Sequence, residues 1–145
     1  MNDYVLDVSV GIKWFLPELH YQAALELLSR SVQGEIRLHV PDFYFAEAGN
    51  IIWRKTRRSE LEGAEATAMV HDMLEDTPLF KHSTVMLVPY AFDVAVNSGI
   101  ALYDALYVAL ADILGCTVIT ADDRLRQKLY RTAWNKRIEW IADFL

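Results

Sequence analysis

The stretch Tyr4-Val5-Leu6-Asp7-Val8 is apolar and rich in branched side chains, holds a single carboxylate, and is soon followed by Gly11. It lacks the in-out alternation of a half-solvated strand and reads as a parallel strand covered on both faces, with an acid in it or just after it. A charge set in such a run costs free energy unless it is paired, so Asp7 requires a reason. Working outward, Tyr21 to Val32 carries Ala24, Leu27, Leu28 and Ser31 at helical spacing, with Gln22, Glu26 and Arg30 free to face water. Arg37-Leu38-His39-Val40 is a short strand candidate stopped by Pro41, and Phe43 to Arg58 predicts a helix through Phe45, Ala48 and Ile52 despite Gly49 and Asn50. Leu61 to Glu75 predicts another helix, ended before Pro78.

Further along, His82 to Val88 reads as a strand closed by Pro89, with a helix over Ala91 to Asn97. Tyr103 to Leu114 presents Leu106, Ala109, Leu110 and Ile113 on one side, and Gly115 is suited to the left-handed cap that ends a helix. Cys116 to Thr120 is again a short apolar strand, Arg124 to Leu129 a short helix, and Trp134 to Leu145 fits either helical packing or a docked tail. Strands separated by helices predict a three-layer α/β/α sandwich with a mostly parallel central sheet. At 145 residues, without an internal repeat or flexible linker, the expectation is a single domain over residues 1–145.

Composition narrows the function. With 20 acidic against 14 basic residues, a formal charge of −6 and 53% hydrophobic residues, neither a disordered chain nor a basic nucleic-acid arm fits. Cys116 is the single cysteine, so an internal disulfide is impossible and a reducing, cytoplasmic setting is expected. The start MNDYVLDVSVG does not read as a secretory signal, and the apolar stretch from Ile100 to Ile119 is interrupted by Asp104 and Asp112, so no membrane association is expected.

Asp7, Glu47 near the start of a helix, Asp104 in the first turn of another, and Asp122 after a late strand all fall where an open α/β sheet gathers ligands, outside the carboxyl ends of its strands. Carboxylates meeting there repel one another and gain proton affinity unless cations lie between them. Magnesium or manganese fits such an all-oxygen set, and those ions assist attack of water on a phosphodiester. The simpler reading of Asp104 or Asp122 taken singly is a helix cap.

Taken together, VLDVSVGIKWFLPE, PDFYFAEAGNIIWR, ALYDALYVALADILGC and TVITADDRL, carrying Asp7, Glu47, Asp104 and Asp122, resemble the PIN-domain ribonucleases over most of the chain, and especially the VapC-type toxins of toxin-antitoxin modules. The resemblance implies an α/β/α fold, a Mg2+- or Mn2+-dependent endoribonuclease, a homodimer and a cognate antitoxin. It implies Asp7 and Asp104 as metal ligands, Glu47 as a ligand or orienter of water, and Asp122 completing the acidic site. Asp123 rivals Asp122 in TADDR, and is assigned the more solvent-facing place as a secondary pocket residue. Ser9 and Thr120 are secondary pocket residues by the same resemblance, the simpler readings being a helix cap for Ser9 and a local backbone partner for Thr120.

Ten of the 14 positive side chains lie in Arg54 to Arg58 and Arg124 to Arg137. Arg54, Lys55, Arg57, Arg58, Arg124 and Arg126 are candidate RNA contacts, against solvent-exposed, dimer or antitoxin roles. Tyr103 joins them because it precedes Asp104. The four histidines form no HExxH or zinc pattern, Cys116 reads as packing, and no GxxxxGK loop is present. The alternative function is a regulatory module of the same fold that binds RNA or protein with little or no catalysis.

Overall fold

The computed structural model describes residues 2–144. Met1 and Leu145, which the sequence places at the ends of the domain, lie outside the described residues. Five strands form one sheet: β1 (Asn2–Leu6), β2 (Ile36–Pro41), β3 (Leu79–His82), β4 (Thr117–Thr120) and β5 (Ile138–Trp140), ordered β3-β2-β1-β4-β5. Every neighbouring pair is parallel, with Val5 opposite His39 on β2 and Leu6 opposite Ile119 on β4. Parallel strands require crossovers. The helices that supply or flank them are α1 (Val8–Gly11), α2 (Tyr21–Val32), α3 (Phe43–Arg57), α4 (Gly63–Glu75), α5 (Thr84–Ser98), α6 (Leu102–Leu114) and α7 (Asp123–Leu129). This is the expected α/β/α sandwich with a parallel sheet.

The centre of the sheet is its most apolar part. Val5, Leu6, Leu38, Val40, Val118 and Ile119 are sealed from solvent, and α6 is buried continuously from Ala105 to Ala111. A helix buried on all sides is wholly apolar in that stretch, as ALYVALA is. Gly115 at φ 69° ends α6 in the left-handed cap expected of it and turns the chain into β4. Among the described residues no single helix is long and apolar enough to cross a membrane; α5 and α6 reach that length only jointly, across a bend of 111°.

Two expectations are corrected. The third strand is Leu79–His82, and Thr84 to Val88, read as strand, is the first part of α5, which runs through Pro89. Ser83 caps it by accepting the Met86 N–H, Gly99 at φ 76° ends it, and Leu87, Ala91 and Val94 form its buried stripe. That stripe brackets Pro89, so burial of the helix face outweighs the lost backbone bond and the local preference of Val85 and Val88. The C-terminal segment is docked on the core through Ile141 and Trp140 but is not an α-helix: 3-10 turns over Ala133–Arg137 and Ile141–Phe144 flank β5, which adds a parallel edge beside β4.

Gly11 is the glycine whose position leaves no room for a Cβ. A Cβ there would lie 1.9 Å from the Tyr44 hydroxyl oxygen and 2.9 Å from Tyr44 Cζ. Tyr44 is fully buried, and its hydroxyl has no hydrogen-bond partner among the described residues. Gly11→Ala is expected to lower unfolding free energy by about 1–3 kcal/mol, whereas Tyr44→Phe, which removes an unpaired polar group, is expected to be neutral or stabilising. Urea unfolding of the two variants and their combination checks this; the Tyr44→Phe background should recover part of the Gly11→Ala loss.

Candidate active site

β1 and β4 lie side by side while their crossovers leave in opposite directions across the sheet, so the crevice beyond their carboxyl ends is the switch point where such folds bind ligands. Asp7 stands at the end of β1, as the residue preceding α1, and Asp122 two residues beyond β4. α3 brings Glu47 and the N-terminal turn of α6 brings Asp104 to the same place. The four carboxylates line one pocket of about 250 Å³, together with Ser9, Asn50 and Arg54.

Asp7 is the deepest of the four, at 5% exposure. Its Oδ2 accepts two hydroxyl bonds, from Ser9 at 2.6 Å and Thr120 at 2.8 Å. Each hydroxyl in turn accepts a backbone N–H at 3.0 Å, Ser9 from Ala121 and Thr120 from Asp122. The two hydroxyls therefore clamp Asp7 to the turn that carries Asp122. Ser9 is not the helix cap of the simpler reading, since Asp7 occupies that position in front of α1. Thr120 does satisfy local backbone, and in addition donates to Asp7.

Burial dominates the electrostatics. It pushes the Asp7 carboxyl up to about 6, against the pull of the Ser9 and Thr120 bonds and with help from the charges of Asp104 and Asp122. Glu47 is pushed up to about 7, again by burial, although its Oε1 accepts the Tyr107 hydroxyl at 2.6 Å. Asp104 is raised by burial and then by Asp122, with Lys128 and Arg124 acting in the other direction. Asp122 combines two of the sequence readings: it lines the pocket, and its Oδ1 caps α7 by accepting the N–H groups of Arg124 and Leu125.

The remaining candidates separate. Asp123 points away from the acids to Arg126 at 2.6 Å and Gln127 at 2.7 Å, beside a different groove. Arg126 also lies 4.2 Å over the Trp140 ring. Lys55 pairs with Glu18 and Glu60, Arg57 lies over Trp53, and Arg58 and Arg124 are exposed. Of these cations only Arg54 lines the acidic pocket. Tyr103 stacks on Phe43 with ring centroids 4.9 Å apart. Tyr107 and Asn50 were missed, although each sits three residues after an acid on its own helix, the spacing that shares a helix face.

All four acids offer oxygen, the donor that hard divalent cations take. Their present placement is looser than a closed ligand set: among the described residues no three His, Cys, Asp or Glu side chains converge closely enough to hold a metal ion.

Because Asp7 and Glu47 bind protons in the folded chain more tightly than their ordinary values of 3.8 and 4.5, the folded state retains protons that the unfolded chain has released. In metal-free buffer the stability contributed by these two acids is therefore fullest at acid pH and is lost as pH rises from about 4 to about 7. The Asp7 contribution, a rise of about two pH units, corresponds to about 3 kcal/mol. Asp7→Asn is expected to match the native protein near pH 4 and to exceed it at pH 8 by up to that amount, read from chemical unfolding with chelator present.

A sequence profile of the PIN domain matches residues 4–129. Ribonuclease VapC3 of Pyrobaculum aerophilum is 33% identical over 125 residues, which cover 86% of this chain and 92% of that protein. A crystal structure from the same organism superposes with a TM-score of 0.69 at 21% identity, covering 97% of this chain and 90% of the other. A toxin-antitoxin complex from Klebsiella pneumoniae gives 0.62 at 10% identity, covering 94% and 95%. At those identities the structural likenesses speak for the fold, whereas the profile spans all four acids at the β1/β4 crevice and the VapC3 alignment covers most of the chain: the chain belongs to the PIN-domain family, among its VapC-type ribonucleases.

Proposed function

We propose that this chain is a Mg2+- or Mn2+-dependent endoribonuclease that hydrolyses RNA phosphodiester bonds, and that it is the toxin of a cytoplasmic toxin-antitoxin module, built as a single domain. The observation that carries the reading is the gathering of Asp7, Glu47, Asp104 and Asp122, from four separate parts of the chain, around one pocket. Asp7, Asp104 and Asp122 would hold the cation, with Glu47 binding it directly or through water. When bound, the divalent ion supplies charge neutralisation and polarisation of a phosphoryl oxygen.

The chain's own groups have distinct tasks in this reading. Ser9 and Thr120 orient Asp7 by holding Oδ2, which leaves its Oδ1 for the pocket. Tyr107 does the same for Glu47 through Oε1. Glu47, held by Tyr107 at the pocket wall, is placed to orient the attacking water. Arg54 at the pocket wall offers a guanidinium to the phosphate, while Lys55, Arg57, Arg58, Arg124 and Arg126 are outer contacts for the RNA backbone.

Cleavage of a labelled RNA pool with magnesium, manganese or chelator tests the proposal. Asp7→Asn or Asp104→Asn is expected to depress metal-dependent cleavage by about 100-fold or more; full activity in either folded variant would refute the assignment. The open spacing of the acids favours a second reading, a module that binds RNA or protein without cutting. Tight RNA association with no product in either metal would support it.

The Klebsiella pneumoniae neighbour is a toxin-antitoxin complex, which supports an antitoxin for this chain. α5 leaves Val85, Met86, Phe92 and Val96 exposed, an apolar surface in keeping with a homodimer. Purification from the native source, with mass by light scattering, is expected to give paired copies of this chain together with a second polypeptide. A lone monomer at micromolar concentration would refute both.

A further inference from the structure

We propose that the stacked pair Tyr103 and Phe43 is a platform for one base of the bound RNA, and that Arg54 anchors a phosphate on the opposite side of the acids, with α3 spacing the two. This rests on the reading of RNA as substrate and adds where the strand lies. Phe43, Glu47, Asn50 and Arg54 recur along α3 at intervals of four, three and four residues, which is one face of a helix. Three of them line the acidic pocket. At 1.5 Å per residue the stripe is roughly 16 Å long, and along it Phe43 and Arg54 stand on either side of Glu47.

At one end the Tyr103 ring lies nearly parallel to Phe43, at 12° and 4.9 Å between centroids, yet Tyr103 is 58% exposed. A ring packed on one neighbour yet this exposed keeps solvent-accessible surface on which a base can stack. The backbone beneath the pair is fixed at Phe43, whose N–H donates to Thr84 Oγ1 at 2.9 Å while the Thr84 hydroxyl donates to Asp42. The Tyr103 ring, already packed on Phe43, has less freedom to lose when a base stacks on it.

At the other end Arg54 is exposed, lines the pocket and makes no ion pair among the described residues, whereas Lys55 beside it is engaged by Glu18 and Glu60. A guanidinium so placed is free to grip a phosphate. Stacking tolerates any base, since each has a π-face, so this platform sets the position of the strand rather than its sequence.

The test is anisotropy of a fluorescein-labelled single-stranded oligoribonucleotide on protein carrying Asp7→Asn, with an abasic site moved along the strand. One abasic position is expected to weaken binding about 5- to 100-fold. That penalty should persist in Tyr103→Phe and vanish in Tyr103→Ala. Arg54→Gln should weaken every oligonucleotide alike and reduce the slope of log affinity against log salt by about 0.7. Tyr103→Ala binding each oligonucleotide as its parent does would overturn the platform, and so would unchanged RNA binding accompanied by loss of a bound second polypeptide, which would assign the stack to that partner. Arg54→Gln with an unchanged salt slope would overturn the anchor. Cleavage by the native protein without a Tyr103-dependent abasic effect overturns this inference alone. The abasic effect without cleavage overturns the nuclease reading alone, and no RNA binding at all overturns both.

Discussion

Two hydroxyl protons, from Ser9 and Thr120, meet on one oxygen of a carboxylate that the fold has almost closed off from water. Around that point the remainder of the site is arranged. The same hydroxyls accept the N–H groups of Ala121 and Asp122, and the Asp7 N–H continues the ladder by donating to Ile119. The end of the central strand and the start of the α7 turn are thereby held as one piece. A buried carboxylate without those donors would be far more costly; with them it stays in place, though at a raised proton affinity.

That residual strain is electrostatic and shared. Burial acts first on Asp7, Glu47 and Asp104, and their neighbours' charges add to it. Strongly shifted acids gathered in one crevice mark a candidate functional site. Asp7 and Glu47 are held by hydroxyl donors rather than by cations, Asp7 by Ser9 and Thr120, Glu47 by Tyr107. Hydroxyl donors fix a carboxylate without cancelling its charge, which keeps it available to a positive ligand.

Most of the fold was legible because its signals are local. The apolar run ending at Asp7, the helix from Tyr21 to Val32 and the glycine between α6 and β4 all state their structure within a few residues. Sequence reasoning failed where local preference and tertiary burial disagreed. Val85, Val88 and Pro89 favour a strand and its end, but Leu87, Ala91 and Val94 are pulled into the core on a single helical face. β5 is three residues long and owes its existence to the free edge of β4, which no pattern within Ile138 to Trp140 could announce.

By itself the sequence determined the alternation of strands and helices, and with it a parallel sheet whose carboxyl ends carry acids, because periodicity, capping and turn chemistry act over a few residues. Tertiary structure alone decided which side chains meet. Asp122 lines the acidic pocket while its neighbour Asp123 turns to Arg126; Tyr107 reaches Glu47 across 60 residues of chain; and of the candidate cations in two clusters, Arg54 faces the acids. Adjacent residues on a helix point about 100° apart. The rotation of each helix about its axis is set by packing against distant strands, so the direction of a side chain is written in the core and not in its own neighbourhood.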